Sequence, residues 1–330
     1  MLRIVLRLCC VGVAALSLTF CAEKQGSDSG FRVALITPGS IADAAWNSGA
    51  YAGLLRIRDS LGASISHVEA LTPAAQEEAL RSYASQGYDV ILANGFEFQE
   101  PAERVARAYP GPVFVVNSGA RAVERVIPLV FRIEEATYLA GMVAGGLSKS
   151  GMIGFIGGVE LPPVRRGQEG WTNGARAINP AIVSRVTYLN NWEDVASGRE
   201  AALALLRLGV DMLHHNADAA ALGAFQAVKE APAAYIFGAN ADQASLAPER
   251  VVGSAVIDLA HAFLLVAGEV RSGTLRSEPM SFGLAGDVLR YVPNPRLSSL
   301  VSAELQARIA AAADSIVAGT LNPLDTKAGS

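Results

Sequence analysis

Cysteine is scarce: the 330 residues hold three, at positions 9, 10 and 21. Three thiols near one end build no disulfide framework, and the four histidines at 67, 214, 215 and 261 form no Cys/His cluster of zinc spacing. A metal site is therefore not expected. Charge is thin as well. Only 18% of residues are charged, and 27 Lys+Arg against 31 Asp+Glu leave a net charge of −4, which excludes the basic surface of a nucleic-acid binder. Low charge together with 51% apolar residues excludes intrinsic disorder. The chain also has no G-x-S-x-G nucleophile elbow, no H-E-x-x-H zinc helix and no G-x-x-x-x-G-K-[ST] phosphate loop.

What is present begins with a processing signal. Arg3 and Arg7 precede an apolar run from Leu8 to Phe20 that ends at Cys21. The run is shorter than the roughly 20 residues of a membrane-spanning helix and has the form of a secretion signal. Leu18-Thr19-Phe20-Cys21 resembles the lipobox of bacterial lipoproteins, with Phe20 where Gly, Ala or Ser is usual. Residues 1–20 are thus expected to be removed and Cys21 acylated. Residues 21–30, with the polar stretch AEKQGSDSG, then form a flexible tether. Acyl chains contribute about 0.8 kcal/mol per buried methylene and would hold the chain on a bilayer without a basic patch.

From Phe31 onward, short apolar runs alternate with stretches of helical period, the pattern of parallel strands joined by crossover helices. Candidate strands are Arg32–Ile36, Ile65–Val68, Val90–Ala93, Val113–Val116 and Val126–Phe131. Helices are expected near 48–61, 74–86 and 97–108. The series then restarts with Gly151–Gly157, Val183–Leu189, Val210–His214, Tyr235–Gly238 and Val251–Val256, with helices near 167–177, 196–208 and 219–229. The fold class is α/β, with two doubly wound, Rossmann-like lobes. The pattern looks like a periplasmic-binding-protein architecture of type I, with a ligand cleft between the lobes.

In open α/β sheets ligands bind beyond the carboxyl ends of the strands. Those ends carry Asp43, Trp46 and Asn47, then Asn94, Asn117 and Glu160, then Trp192, His215 and Asn216, and finally Asn240 and Asp242. Amides offer donors and acceptors, and indoles offer a flat face, so the expected ligand is a flat heteroaromatic held between Trp46 and Trp192. Of the adjacent His214 and His215 only one can face the cleft, and His215 is the candidate. Arg165 and Arg166 are expected at the rim. A hydrolase built on Asp43, Asp194, Asp218, Asp242 and His215 is the enzymatic alternative, and a surface sensor is another. The absence of a catalytic motif favours a binding protein without cofactor.

Several segments, in order, are similar to the basic membrane protein family, the purine-nucleoside receptor lipoproteins of bacterial ABC importers. Asp43-Ala44-Ala45-Trp46-Asn47 matches a D-x-S-F-N element, and Glu135–Gly141, Gly154–Leu161, Gly170–Ala175, Trp192-Glu193-Asp194, Phe237–Gln243 and Ser281–Leu284 follow. The resemblance implies a periplasmic, membrane-anchored receptor that hands its ligand to an ABC permease. It implies lobe 1 over 31–133 and 257–281, lobe 2 over 134–256 and 282–330, and hinges near Phe131–Glu135, Gly253–Ile257 and Glu278–Gly283. No apolar helix or heptad points to obligate association, so a monomer is expected.

The departures from the family bear on the ligand. Asn117 and Asn240 stand where Asp is usual, Ile257 where Lys is usual, and Ala217-Asp218-Ala219-Ala220 replaces a glycine-rich stretch. A charge-assisted acceptor of hydroxyls is worth roughly 1.5–3 kcal/mol, and its loss weakens nucleoside binding in the usual pose. Indoles in place of phenyl rings favour a broader ring system. The chain therefore resembles the riboflavin-uptake branch of the family, with a purine nucleoside or base as the alternative ligand. The carboxy-terminal stretch from Leu321 is expected to fray.

Overall fold

The computed structural model describes residues 30–43 and 45–325. The signal, Cys21 and most of the tether lie outside the described residues. In chain order the elements are β1 (Arg32–Thr37), α1 (Trp46–Leu61), β2 (Ser64–Glu69), α2 (Pro73–Ser85), β3 (Val90–Ala93), α3 (Gln99–Ala108), β4 (Val113–Asn117) and β5 (Val126–Phe131). The chain then crosses to the second lobe with α4 (Ile133–Leu147), β6 (Met152–Gly157), α5 (Pro162–Ile178), β7 (Val183–Tyr188), α6 (Val195–Arg207), β8 (Met212–Asn216), α7 (Ala221–Glu230), β9 (Tyr235–Asn240) and β10 (Val251–Ile257). It returns through α8 (Leu259–Ser272) and β11 (Met280–Phe282) and ends with β12 (Leu289–Pro293) and α9 (Ala303–Val317).

One sheet has the order β11-β5-β4-β3-β1-β2 and the other β12-β10-β9-β8-β6-β7. All pairings are parallel except β10 with β12. Central strands such as β1, β3 and β4 are buried along nearly their whole length and mostly apolar because helices cover both faces of a parallel sheet. Edge strands β2 and β7 are polar and part-exposed. Each sheet reverses its winding once, between β1 and β3 and between β6 and β8. Those two reversals place four strand ends around one crevice.

Three connections join the lobes: β5 to α4, β10 to α8, and β11 to β12. After the second, Phe263 and Val266 of α8 return to the first lobe and pack with Leu54 and Ile57 of α1. After the third, Ala312 and Ile316 of α9 pack with Leu139 and Met142 of α4. The second and third connections lie later than the hinge segments expected from sequence. β10 is buried strand through Ile257, and Phe282 pairs with Phe131 in the first sheet, so the crossings fall at about 257–259 and 282–289.

Helix α5 starts five residues before the window read from periodicity, because Pro162 and Pro163 occupy its first turn, where proline costs no hydrogen bond. The segment 321–325, expected to fray, packs back against α5. Asn173 of α5 donates to the Pro323 carbonyl at 2.9 Å, and Pro323 is buried.

Candidate functional site

The crevice at the four strand ends is a partly open cavity of about 580 Å³ of empty space, solvent at its mouth included. Trp46 lines it from the first lobe and Trp192 from the second. Between them Asn216, Asp218 and Asn240 contribute polar groups from one side, and Glu97 and Ser118 from the other.

Trp46 is the first residue of α1, and its placement follows from Asp43. The Asp43 carboxylate is 1% exposed and accepts the backbone N–H groups of Ala45 at 3.0 Å, Asn47 at 2.5 Å and Ser48 at 3.0 Å. A carboxylate over free N–H groups at a helix start is a cap that also complements the helix dipole. Asp43 is therefore corrected from a ligand group to the residue that starts α1 and orients Trp46. The Trp46 indole N–H donates to the Asn94 carbonyl at 3.2 Å, and its ring meets Phe131 edge-on at 6.5 Å.

The amides of Asn47, Asn94 and Asn117 are likewise turned inward. Asn117 Nδ2 donates to Asn94 Oδ1 at 2.6 Å, and Asn94 Nδ2 donates to Asn47 Oδ1 at 2.9 Å. All three are 0–1% exposed and form a ladder behind the cavity wall, where Asn94 braces Trp46. The buried Asn117 Oδ1 has no partner. These three expected residues therefore lie behind the cavity wall and are not among the residues that line it.

Trp192 sits in the loop before α6, whose start is capped by Asp194 through the N–H groups of Ala196 and Ser197. The Trp192 carbonyl accepts the Ala220 N–H at 2.9 Å, which fixes the indole beside the turn that carries Asp218. The ring lies directly on Gly158, where any Cβ would overlap it. Ser118, Asp218 and Asn240 all line the cavity with left-handed backbones, at φ of +58°, +43° and +65°. Non-glycine residues in that region concentrate at ligand sites.

His215 does not reach the cavity. β8 sends successive side chains to opposite faces of the sheet, and helices cover both faces. His214 goes to Trp171 of α5 and bonds the Phe237 carbonyl at 3.2 Å. His215 goes to Phe225 of α7 and bonds Gln243 Oε1 at 2.9 Å. Burial lowers the two imidazoles to about 3 and about 4 respectively. Glu160 is corrected too, since it is exposed and paired with Arg165. Arg166 pairs with Glu134 at 3.0 Å on α4. Asp242 is exposed and turns onto the Ala244 N–H.

Of the expected residues, Trp46, Trp192, Asn216 and Asn240 line the cavity together. Glu97 and Ser118 also line it but were not among the expected residues, and Asp218 was expected only in the enzymatic alternative. Glu97 lies one residue beyond the inspected strand end, and the left-handed turns at Ser118 and Asp218 have no sequence signature of their own. Burial raises the carboxyl of Glu97. Asp218 is raised well above the ordinary carboxylate range, first by burial and then by Asp43, Glu97 and Glu193. Of the four aspartates a hydrolase would need, only Asp218 faces the cavity, because Asp43, Asp194 and Asp242 serve helix starts and a turn. Among the described residues no cluster of three or more His, Cys, Asp or Glu could hold a metal.

Residues 31–322 match the Bmp family, described as ABC transporter substrate-binding protein PnrA-like. The chain belongs to the Bmp family. It is 27% identical over 285 residues to Basic membrane protein A2 of Borrelia garinii subsp. bavariensis, covering 84% of each chain. It also superimposes on an ABC transporter solute-binding protein from Aeropyrum pernix K1 with a TM-score of 0.82, at 23% identity over 88% of this chain and 92% of that one. A solute-binding protein from Conexibacter woesei gives 0.70 at 26% identity, covering 88% and 97%. As a Bmp family member this chain is an ABC transporter substrate-binding protein, and its two α/β lobes have the type I periplasmic-binding fold.

Proposed function

We propose that this receptor captures a flat heteroaromatic ligand, riboflavin in the first place, between its two lobes and delivers it to an ABC permease. The observation that carries the reading is that Trp46 and Trp192 line one cavity from opposite lobes. Each indole face contributes roughly 0.5–1.5 kcal/mol of stacking beyond area burial. Both can contact one ring only when the lobes are closed, so the ligand selects the closed state. The permease then recognises closure. The wide ring of a flavin suits two indoles better than two phenyl rings, and Asn216, Asn240 and Ser118 supply neutral partners for its polar edge and hydroxylated chain.

A purine nucleoside is the second reading, favoured by one observation. Asp218 brings a carboxylate into the cavity beside Asn240, and a carboxylate accepts paired hydroxyls. In either case the receptor works as a monomer in the periplasm, anchored through acylated Cys21. Labelled palmitate incorporated into the wild-type chain and not into Cys21→Ser checks the anchor.

Tryptophan fluorescence titration tests the ligand. Riboflavin should quench the purified protein strongly, and Trp46→Ala or Trp192→Ala should each weaken binding at least tenfold. Stabilisation by guanosine or inosine without any response to riboflavin would select the nucleoside reading.

A further inference from the structure

We propose that Asp218 and Glu97 determine the charge class of the ligand: the part of it that lies between them presents hydrogen-bond donors and carries no negative charge. The inference rests on the cavity being the ligand site.

The two side chains enter the cavity from opposite lobes, Glu97 just after β3 and Asp218 just after β8. Asp218 is only 8% exposed. The charged groups around it are all acidic: Asp43 and Glu97 from the first lobe and Glu193 from its own. Asn240 is the neutral side chain beside it. Neither lysine nor arginine is among the residues lining the cavity. The two arginines that follow the cavity-lining turn at Leu161–Val164 are engaged elsewhere, Arg165 with Glu160 and Arg166 with Glu134.

A buried carboxylate among other carboxylates is stabilised by groups that donate to it, and within a desolvated cleft such charge is weakly screened. Ligand hydroxyl, amino or imide N–H groups satisfy that demand. A phosphate or carboxylate at the same place adds another negative charge and supplies no donor. The indoles hold any flat ring, so this pair of acids discriminates among ligands that share a ring system.

Calorimetric titration with two matched pairs tests this: riboflavin with riboflavin 5′-phosphate, and inosine with inosine 5′-monophosphate. The neutral member should bind at least ~30-fold more tightly than its phosphate, as an uncompensated negative contact implies. Asp218→Asn and Glu97→Gln should each shrink that ratio about tenfold, by strengthening the phosphate. Equal binding of a pair, or a ratio unchanged in both variants, overturns the inference.

Should none of the four ligands bind, the flavin and nucleoside readings fail and the ligand-free protein decides the inference. Asn adopts a left-handed backbone at least as readily as Asp, so Asp218→Asn keeps the turn. Its melting temperature should rise relative to wild type, and by more at pH 8 than at pH 5, because only the ionised carboxylate is unsatisfied. A gain that does not depend on pH overturns it.

Discussion

The Glu135 carboxylate accepts the Leu284 N–H at 2.7 Å, which ties the first turn of α4 to the third interlobe connection 149 residues later. The same carboxylate pairs with Arg132 at 3.0 Å, and Arg132 N–H donates to the Phe282 carbonyl at 2.9 Å. Glu135 thus acts on the hinge as well as on its own helix. Asp258 makes the parallel link between the second and third connections, its N–H donating to the Val288 carbonyl at 2.7 Å.

Glu135→Ala should cost about 1–3 kcal/mol in stability, because it leaves the Leu284 N–H without its acceptor and Arg132 without its ion-pair partner. It should also loosen the lobes. Small-angle scattering of the ligand-free protein is expected to show a larger radius of gyration than wild type. An unchanged radius with unchanged melting would show that the clasp is not part of the hinge.

Gly158→Ala should lower ligand affinity more than tenfold while leaving the fold intact. The new Cβ would overlap the Trp192 ring, and the indole must leave the cavity wall. Calorimetry on the variant, compared with Trp192→Ala, checks whether the two losses match in size.

Asn94→Ala removes the middle of the amide ladder and leaves Asn117 Nδ2 and Asn47 Oδ1 unpaired in the core. Each orphaned polar group costs about 1–3 kcal/mol, so the melting temperature should drop by several degrees. Affinity should fall less than in Trp46→Ala, since Asn94 holds the indole through its backbone carbonyl, which the variant keeps.

Acid should destabilise the protein through His214 and His215. Their folded values of about 3 and about 4 lie below the ordinary 6.5, so the unfolded chain takes up protons first as pH falls. Stability is therefore lost from about pH 6.5 downward, developing fully by about pH 3–4, with a loss on the order of 3–5 kcal/mol per imidazole. His215→Gln keeps a donor for Gln243 and should flatten this decline. Asp218 and Glu135 oppose it, because their raised carboxyls contribute stability that is present below the unfolded value and lost as pH rises. Thermal melts between pH 8 and pH 4, on wild type and His215→Gln, separate the two effects.

Repeating apolar runs at strand length, separated by helical windows, determined the α/β class, the two lobes and the strand ends that face the cleft. Those features are local, because a fully buried parallel strand must be apolar along its length, and the residues after it must be small or polar. Trp46 and Trp192 were legible as large rings in the segments that follow strands, although both also pack partly against the cores of their lobes. The direction of each polar side chain was not local. Asp43 became a helix cap, Asn47, Asn94 and Asn117 bonded one another, and His215 turned under α7, because a buried polar group takes whichever partner the packing brings within 3 Å. Tertiary structure alone set Asp218 and Glu97 against each other, since they lie on different lobes and meet only when three crossings have brought the strand ends of the two sheets around one crevice.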